Sequence, residues 1–349
     1  MISVAFAVPG SLDKPTGGYR YDRRVIHELR ALGHNVEIVT LPDRFPDPTA
    51  EDLAITEATL AAVATDQPLI IDALAYSAMP DVIARLAGSH MLVALVHHPL
   101  ALETGLSAER AEWLREAERS ALVHARAIIV TSPATSEILQ SDYGVASSKI
   151  TVACPGVDPV IPPDTRLDKE NGPFKFLSVG SLIPRKGHLD LIKAFAAIRD
   201  LDWCAEIVGD PTLDPDHARD IRAAIDRSSL ADRITLTGAL DEADLTSRYM
   251  TADCFVLATQ YEGYGMAFAE AFSFGLPVIG TSGASEVIGD GGLMIDPGDV
   301  IALVAALKAV HSNKIVRNDL LTKSRARSYH LPRWGDTAEK ISTILGKLS

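Results

Sequence analysis

The chain has 349 residues, which is long enough for two domains of ordinary size, each with a core of its own. Hydrophobic residues make up 47% and charged residues 23% of it, as in a globular protein rather than a disordered or fibrous one. A formal net charge of −13 disfavours a nucleic-acid partner, because phosphate backbones are bound by clustered Lys and Arg.

The first half of the chain alternates apolar strands with helical stretches. The apolar run ISVAFAV is followed by a loop that contains TGG at 16–18, and then by a helix that we expect to stop at Gly33. Alternation of this kind predicts a mostly parallel sheet covered by helices. The further strand-like runs lie at 36–41, 68–74, 91–98 and 125–132.

A change in composition separates the two halves. The stretch 158–174 is rich in Pro and charge and has no periodicity, which is typical of a linker. After it, the pattern of strand, loop and helix begins again and continues to the run CFVLAT at 254–259. The sequence therefore predicts an α/β protein with two doubly wound domains, the first at 1–160 and the second at 174–328, joined by a linker at 161–173. Neither half has the G-x-G-x-x-G fingerprint of a dinucleotide dehydrogenase after its first strand.

The cysteines and the absence of long apolar runs indicate the cellular compartment of the protein. Cys154, Cys204 and Cys254 share no short metal-ligand spacing and lie in or beside apolar stretches, so we expect reduced core residues. No run reaches the roughly 18 apolar residues of a membrane span, and the N-terminus lacks the basic flank and the length of a signal peptide. These features predict a cytoplasmic protein without a transmembrane segment.

The segment ATQYEGYGMAFAEAFSFGLPVIGT, at 258–281, places two glutamates around a glycine-rich turn. Because a β-prone run precedes the turn and an apolar helix follows it, Glu262 is expected in the loop and Glu270 on the helix. If the helix starts near Met266, its free N–H groups form a cluster of donors at the end of a strand, which suits oxyanions or sugar hydroxyls. The alternative is that Glu262 caps the helix and Glu270 is a solvated surface residue.

Several segments resemble the retaining glycosyltransferases of family 4. In the second half these are VGSLIPRKGHLDLIKAF, IVGD, RITLTGAL, the stretch from 249 to 280 and DGGLMIDPGD; in the first half they are TGGYRYDRRVIHELRALGHNVEIVT and ACPGVD. The resemblance implies the GT-B fold, with two Rossmann-like domains facing each other across a cleft. The first domain then binds the acceptor and the second the nucleotide-sugar donor. A last helix, at 329–349, is implied to cross back to the first domain.

The resemblance assigns roles to the paired glutamates. Glu262 is implied to accept hydrogen bonds from the hydroxyls of the donor sugar, and Glu270 from the nucleotide ribose, since two carboxylate oxygens suit two neighbouring hydroxyls. The backbone amides that are implied to face the sugar or the diphosphate belong to Gly263, Tyr264, Gly265 and Met266.

The resemblance also assigns the cations of the donor site. Lys186, with Arg185, matches the residues that bind the diphosphate, where a fixed charge stabilises the leaving group as the glycosidic bond breaks. Ser181 stands where many members of the family have an arginine, so part of that electrostatic role is expected to be smaller, or to pass to Arg185 or to a residue of the first domain. The alternative for the PRKG stretch is a solvated turn.

In the first half, Gly17 and Gly18 match the glycine loop that closes over the diphosphate in the family, where backbone without Cβ atoms can approach closely. The alternative is a plain turn before a helix. A histidine near the reacting centre is implied at the end of the strand 91–98, and of His97 and His98 we favour His97.

The resulting prediction is a retaining, metal-independent glycosyltransferase that uses a nucleotide diphosphate sugar, UDP- or GDP-linked, and needs no cofactor. Its acceptor is expected to be a glycan, a lipid-linked molecule or a small molecule. The rival predictions are a sugar-nucleotide epimerase with the same fold and a non-catalytic sugar-nucleotide binding protein.

Two further motifs are predicted to be structural. The DPD stretch at 214–216 resembles a metal-binding D-x-D, but Pro215 and the helical sequence after it favour a helix start, so no metal is predicted. Four arginines between 20 and 30 make the first helix basic, which leaves peripheral membrane contact open. Asp22 and Glu28 interrupt that face, which favours a solvated helix; the arginines are Arg20, Arg23, Arg24 and Arg30.

Overall fold

The structure is a computed structural model that describes residues 1–160 and 172–348. The chain divides into two compact units, of which unit 1 comprises Met1–Gly156 and Pro332–Ser349 and unit 2 comprises Val157–Leu331. Most of the linker predicted from the sequence, residues 161–171, lies outside the described residues.

Unit 1 is built on a six-stranded parallel sheet in the order β2-β1-β3-β4-β5-β6. Its strands are β1 (Ser3–Pro9), β2 (Asn35–Leu41), β3 (Pro68–Asp72), β4 (Met91–Val96), β5 (Ala127–Val130) and β6 (Ile150–Val152). Its helices are α1 (Gly17–Ala31), α2 (Ala50–Ala61), α3 (Ala73–Tyr76), α4 (Pro80–Leu86), α5 (Ala108–Leu122), α6 (Pro133–Ser141) and α14 (Trp334–Leu348).

Unit 2 is built on a second six-stranded parallel sheet, in the order β12-β11-β10-β7-β8-β9. Its strands are β7 (Phe174–Val179), β8 (Trp203–Val208), β9 (Ile234–Gly238), β10 (Cys254–Val256), β11 (Val278–Thr281) and β12 (Leu293–Ile295). Its helices are α7 (His188–Ala196), α8 (Pro215–Arg227), α9 (Glu242–Thr251), α10 (Met266–Ser273), α11 (Ser285–Ile288), α12 (Val300–Ser312) and α13 (Lys314–Ser328).

The order of the strands marks where each unit can bind a ligand. In unit 2 the chain moves outward from β7 in one direction through β8 and β9, and then from β10 in the other, so the order reverses between β7 and β10. In unit 1 the reversal falls between β1 and β3. Doubly wound sheets bind ligands outside the carboxyl ends of their strands at such a reversal. The loops that follow β7, β10, β1 and β3 are therefore the loops of interest.

The central strands are apolar because both faces of each sheet are covered. Every residue from Leu92 to Val96 of β4 is at most 1% exposed, and the strands of unit 2 are likewise buried at Phe255, Val256 and Ile279. Continuous apolar strands of this kind are typical of parallel sheets, which helices cover on both sides.

The end of the chain completes unit 1. The ring of Trp334, at the start of α14, lies 5.9 Å from the ring of Tyr21 on α1. Thr337 donates a hydrogen bond of 2.7 Å to the carbonyl of Cys154. Gly156 passes so close to the backbone of Trp334 that a Cβ there would overlap it. The chain thus leaves unit 1 after Gly156 and returns to it at Pro332, and these two points lie close together.

One prediction about α1 is wrong. Asp22 was expected on a solvated face, but its side chain is fully buried in unit 1. It lies on the stripe that continues through Val25, Ile26 and Leu29, all of which are buried. Those positions recur at the spacing of a single helical face, so Asp22 takes a core position of the helix.

The prediction that the DPD stretch starts a helix is confirmed, whereas only one of the three cysteines is a core residue. Asp214 caps α8, where its Oδ1 accepts a hydrogen bond of 2.9 Å from the amide of His217, and Pro215 occupies the first turn. The cysteines are free thiols, of which Cys254 is buried and Cys154 and Cys204 are half-buried. Among the described helices, none combines the length and the apolar character that a bilayer crossing requires.

Candidate functional site

The loops after β7 and β10 meet in a buried ion pair. The Nζ atom of Lys186 lies 2.7 Å from Oε1 and 2.9 Å from Oε2 of Glu262. The Nη1 atom of Arg185 lies 3.5 Å from Oε2 of the same carboxylate. Only 15% of the Lys186 side chain and 8% of the Glu262 side chain are exposed. The structure thus brings Arg185, Lys186 and Glu262 together at the reversal of strand order in unit 2.

Backbone contacts hold these two loops against each other. Gly187 has a left-handed φ of 69°, and a Cβ there would overlap the carbonyl oxygen of Ala258. The amide of Gln260 donates to the carbonyl of Arg185 at 2.7 Å, and the hydroxyl of Thr259 donates to the same carbonyl at 3.0 Å. The backbone of Lys186 is therefore held in place by the contacts of its two neighbours, Arg185 and Gly187.

The electrostatic balance keeps Glu262 ionised. Burial alone would raise the pKa of its carboxyl group, but the charges of Lys186 and Arg185 outweigh burial, so the pKa lies below its ordinary value. The site therefore contains two cations and one carboxylate in a region with little water. Such a group can bind an anion through the cations and hydroxyl groups through the carboxylate.

The glycine turn leads directly into α10, which begins at Met266. Gly265 precedes the helix with a φ of 99°, and a Cβ there would lie 2.9 Å from Cγ1 of Val287. No side chain caps this end of the helix. The first N–H groups of α10 therefore have no partner within the helix, and they lie at the carboxyl end of β10. Glycine at 265 is what allows the chain to enter the helix here.

The remaining residues predicted for the donor site lie on the same elements. Glu270 is half-buried on α10, Tyr264 is 9% exposed in the turn, and Gly263 is half-buried beside Glu262. Ser181 is half-buried in the loop after β7. A Cβ on the preceding Gly180 would lie 3.3 Å from Cδ of Lys186.

Unit 1 contains a second group, at the end of β4. The Nε2 atom of His97 lies 3.3 Å from Oδ1 of Asp22 on α1 and 3.3 Å from Oδ2 of Asp72 at the end of β3. The ring also meets Tyr21 edge to face, with the ring centroids 5.3 Å apart. Thr131 donates to the carbonyl of His97 at 2.9 Å, which fixes the backbone there.

The predicted glycines lie beside this histidine. Gly17 and Gly18 are the first residues of α1, and the N-cap residue Thr16 makes no side-chain cap. A Cβ on Gly18 would lie 3.3 Å from Cδ2 of His97, so the absence of a side chain leaves room for the ring. Of the two histidines, His97 joins this group, whereas Nε2 of His98 lies 3.4 Å from Oε2 of Glu103.

A buried glutamate holds the loop that follows these histidines. Glu118 of α5 is fully buried, accepts a hydrogen bond of 2.7 Å from Ser77 and accepts another of 3.3 Å from the amide of Leu100. Burial raises the pKa of Glu118 to about 7, although the hydrogen bonds oppose that shift.

The sequence did not identify Asp22 and Asp72 as members of this group. One signal was available for each: Asp22 interrupts the apolar stripe of α1, and Asp72 ends an otherwise apolar strand at the carboxyl edge of the sheet. A carboxylate in either place requires a buried partner. The partner could not be identified, because the residues that meet come from α1, β3 and β4.

Within residues 1–160 and 172–348, Asp22, Asp72 and His97 are the one group of three side chains whose donor atoms lie close enough to share a metal ion, all within 4.8 Å. The same three side chains can balance their charges with a proton on His97 instead. We therefore assign no ion to them.

Comparison with known proteins agrees over both halves of the chain. The sequence profile described as glycosyl transferases group 1 matches residues 164–327, and that of glycosyltransferase family 4 matches residues 15–160. A D-inositol 3-phosphate glycosyltransferase of Arthrobacter sp. (strain FB24) is 29% identical over 223 residues, which cover 60% of this chain and 52% of that protein. The chain thus spans about half the length of this curated relative.

Solved structures match over nearly the whole chain. Sucrose-phosphate synthase from Thermosynechococcus elongatus has a TM-score of 0.82 and 21% sequence identity, covering 99% of this chain and 98% of that one. The Anabaena protein HepE, in complex with UDP-glucose, has a TM-score of 0.78 and 17% identity, covering 99% of this chain and 100% of that one. At these identities the likeness shows the fold.

Proposed function

Since the chain belongs to the group 1, family 4 glycosyltransferases and has the GT-B fold, we propose that it transfers a sugar from a nucleotide diphosphate donor to a hydroxyl group of an acceptor. The observation that carries this proposal is the buried group of Arg185, Lys186 and Glu262 at the reversal of strand order in unit 2. Transfer from such a donor needs cations for the diphosphate and acceptors for the sugar hydroxyls, and this group offers both.

The diphosphate is the ligand that this charge distribution favours. Lys186 and Arg185 supply two positive charges, and the uncapped N-terminus of α10 adds backbone donors with a partial positive charge. Glu262 compensates only part of that charge. In the reaction, the bond between the sugar and the diphosphate breaks and negative charge grows on the leaving oxygen. Fixed cations beside that oxygen lower the barrier because they need no reorientation.

Glu262 and Glu270 are proposed to bind hydroxyl groups of the donor. Glu262 is already fixed by two cations, so its carboxylate oxygens can accept hydrogen bonds from neighbouring sugar hydroxyls with little cost in side-chain entropy. Glu270, one helical turn into α10, is proposed to accept from the nucleotide ribose.

We propose retention of the anomeric configuration without a covalent sugar–enzyme intermediate. A double displacement would need a second carboxylate positioned as a nucleophile, about 5–5.5 Å from the acid–base residue. Glu262 is held by Lys186 and Arg185, which makes it a poor nucleophile. A front-face route, in which the leaving phosphate oxygen takes the proton of the acceptor hydroxyl, requires no such group.

The proposed reaction uses no metal ion. Lys186 and Arg185 take the part that a divalent ion plays elsewhere, and the carboxylate of Asp214 is occupied as a helix cap. Transfer is expected to continue in EDTA. Loss of transfer on chelation, restored by Mg²⁺ or Mn²⁺, would contradict this part of the proposal.

The test of the proposed function is a titration of the purified protein with UDP-, GDP- and ADP-sugars by calorimetry, followed by a transfer assay with the sugar that binds. Glu270→Gln is the matched variant and should weaken binding by about 1.5–3 kcal/mol, the value of a hydrogen bond to a charged group. Binding without transfer to any acceptor, and without donor hydrolysis, would indicate a sugar-nucleotide binding protein. Conversion of the donor sugar into its epimer would indicate an epimerase.

A further inference from the structure

The carboxylate of Asp22 is buried with a single ionic partner. Its side chain is 0% exposed, and neither oxygen makes a hydrogen bond of good geometry with the described residues. Within the described part of the chain, its one ion-pair contact is with Nε2 of His97, at 3.3 Å. A carboxylate in such a place is costly unless a positive charge or a strong donor compensates it. The imidazole of His97 is the group placed to supply that charge.

A second carboxylate meets the same nitrogen atom. Asp72 is held by its role as a helix cap, because its Oδ1 accepts a hydrogen bond of 2.7 Å from the amide of Leu74. Its Oδ2 then lies 3.3 Å from Nε2 of His97. Two ionised carboxylates can face one nitrogen only if that nitrogen carries a proton, since the lone pair of an unprotonated nitrogen would repel both. While both carboxylates are ionised, the tautomer with the proton on Nδ1 alone is therefore disfavoured.

The charges around the ring favour a second proton on it. Burial alone would lower the pKa of His97, but Asp22 and Asp72 outweigh burial and raise the pKa of His97 well above its ordinary value. Burial raises the pKa of Asp22, and the charge of His97 opposes that shift. Tyr19 and Tyr21, the other titratable residues of α1 near these carboxylates, have pKa values raised by burial and stay neutral.

The far side of the ring is available to a ligand. Nε2 is buried, so the 19% of the His97 side chain that is exposed belongs to its other atoms. Among the described residues, none makes a hydrogen bond to Nδ1. Gly18 lies against the Cδ2–Nε2 edge of the ring. The side chain is therefore fixed at Nε2, while part of the rest of the side chain remains exposed.

We propose that Asp22 and Asp72 are positioning residues that hold His97 as an imidazolium, so that Nδ1–H donates a hydrogen bond to an oxygen atom of the substrate and the ring cannot act as a base. The proposal deepens the proposed function and rests on it for the identity of the substrate. The acceptor hydroxyl then has to give its proton to the leaving phosphate or to another group, and not to His97.

The first test reads the protonation of His97 without any substrate. The full chain is labelled with ¹⁵N at its histidines, and the His97 signals are identified by their loss in His97→Gln. In the parent protein His97 should remain doubly protonated at pH 8. In Asp22→Asn and in Asp72→Asn its pKa should fall by about 1 to 3 pH units, the usual effect of one adjacent opposite charge.

Both substitutions keep the shape of the side chain, and Asn at 72 can still accept from the amide of Leu74, so at least that variant should fold. Glu57→Gln, which removes an exposed carboxylate paired with Arg85 in the same unit, is the control and should leave the His97 signals unchanged. A neutral His97 in the parent at pH 7 would overturn the proposal. Signals of a metal-bound imidazole that change on adding EDTA would overturn it as well.

The second test uses transfer once a donor is known. Loss of the imidazolium should lower kcat of Asp22→Asn about 10²-fold or more, as for other fixed transition-state donors, with a smaller change in KM. Activity of this variant should recover in part at lower pH, where His97 regains its proton. If Asp22→Asn shifts the pKa of His97 but leaves kcat unchanged, the proposed hydrogen bond from His97 to the substrate is contradicted. Absence of transfer by the parent with every donor would contradict the proposed function and leave the protonation result standing.

Discussion

Lys186 and Glu262 form an ion pair whose purpose can be inferred from its burial. Their ion pair is buried, and its two halves come from loops that are 76 positions apart in the chain. A buried pair contributes little net stability, because desolvation of both charges offsets their attraction. We therefore attribute the pair to ligand binding, with the fold supplying the position of each partner.

Replacing the cations should slow transfer. Lys186→Ala is expected to lower turnover about 10²-fold or more, because it removes a fixed charge beside the leaving group. Arg185→Ala should lower it as well if this arginine compensates for the uncharged Ser181. Lys193→Ala, which removes an exposed lysine paired with Asp190 on α7, is the control. If Lys186→Ala and Arg185→Ala both turn over as fast as the parent, these two residues do not bind the diphosphate.

Glu262 should make the stability of unit 2 depend on pH. Its pKa in the folded protein lies below the ordinary value of 4.5, so its carboxylate stabilises the fold fully above pH 4.5 and loses that contribution as the pH falls through the folded value. Glu262→Gln is expected to be less stable than the parent by about 1–3 kcal/mol at pH 7. The difference should shrink as the pH falls below 4.5 through the folded-state pKa.

Urea unfolding of unit 2 at several pH values measures this difference. Glu242→Gln, which changes an exposed glutamate on α9, should match the parent throughout. A difference between Glu262→Gln and the parent that stays constant from pH 7 to pH 3 would show that the charge of Glu262 is not the cause.

Side chains of the donor site could be identified from the sequence because the family motif is local. Glu262, the glycine turn and Glu270 lie within nine positions, and the PRKG stretch is similarly compact. Their roles remain predictions, and the direct pairing of Lys186 with Glu262 was not foreseen. The partners of His97 could not be identified in this way, since Asp22 and Asp72 reach it from elements 75 and 25 positions away.

At the scale of elements, the two loops of the donor site depend on glycines in the left-handed region. Gly187→Ala should destabilise unit 2 by more than the roughly 1–2 kcal/mol that a left-handed backbone costs an L-residue, because the new Cβ also meets the carbonyl of Ala258. Gly238→Ala is the matched control: its φ is 76°, and a Cβ there meets nothing within 4 Å.

The difference in unfolding free energy between these two variants measures the cost of the close approach alone. Gly187→Ala should also weaken nucleotide-sugar binding, because Lys186 and Arg185 are displaced with the loop. Equal stability and equal binding of the two variants would mean that the loops are not held together at Gly187.

Most elements were predictable because their patterns are local. The strand, glycine turn and helix at 254–273 follow from β-propensity, from glycine and from an apolar helix, and α10 begins at the predicted Met266. The face of α1 was misjudged at Asp22, because its charge was given more weight than its place in the apolar stripe. The order of the strands was not predicted, since a sequence pattern does not show which strands are neighbours.

At the scale of the whole molecule, unit 1 is discontinuous and unit 2 is not. Trp334 is 4% exposed, packs against Tyr21 and lies under the guanidinium of Arg24. Trp334→Ala should therefore destabilise unit 1 by about 3–5 kcal/mol, as for other buried large aromatic residues, and leave unit 2 unchanged. Trp113→Ala, which truncates a 47% exposed tryptophan in the same unit, should have little effect.

Hydrogen exchange measured by mass spectrometry separates the units. Peptides from β4 should lose protection in Trp334→Ala while peptides from β8 keep theirs. A loss of protection in both sheets, or in neither, would show that α14 does not serve unit 1 in particular.

The return of the chain to unit 1 has a consequence for its synthesis on the ribosome. Unit 1 cannot close over α1 until α14 has emerged, and the whole of unit 2 is translated in between, which takes on the order of ten seconds at about 5–20 residues per second. During that time the apolar surface around Tyr21 is uncovered, and we expect unit 2 to reach its folded state first although it is made second. Chains that end just before Pro332 and have been released from the ribosome should then resist protease in unit 2 and be cleaved in unit 1, whereas equal resistance in both would show that unit 1 folds without α14.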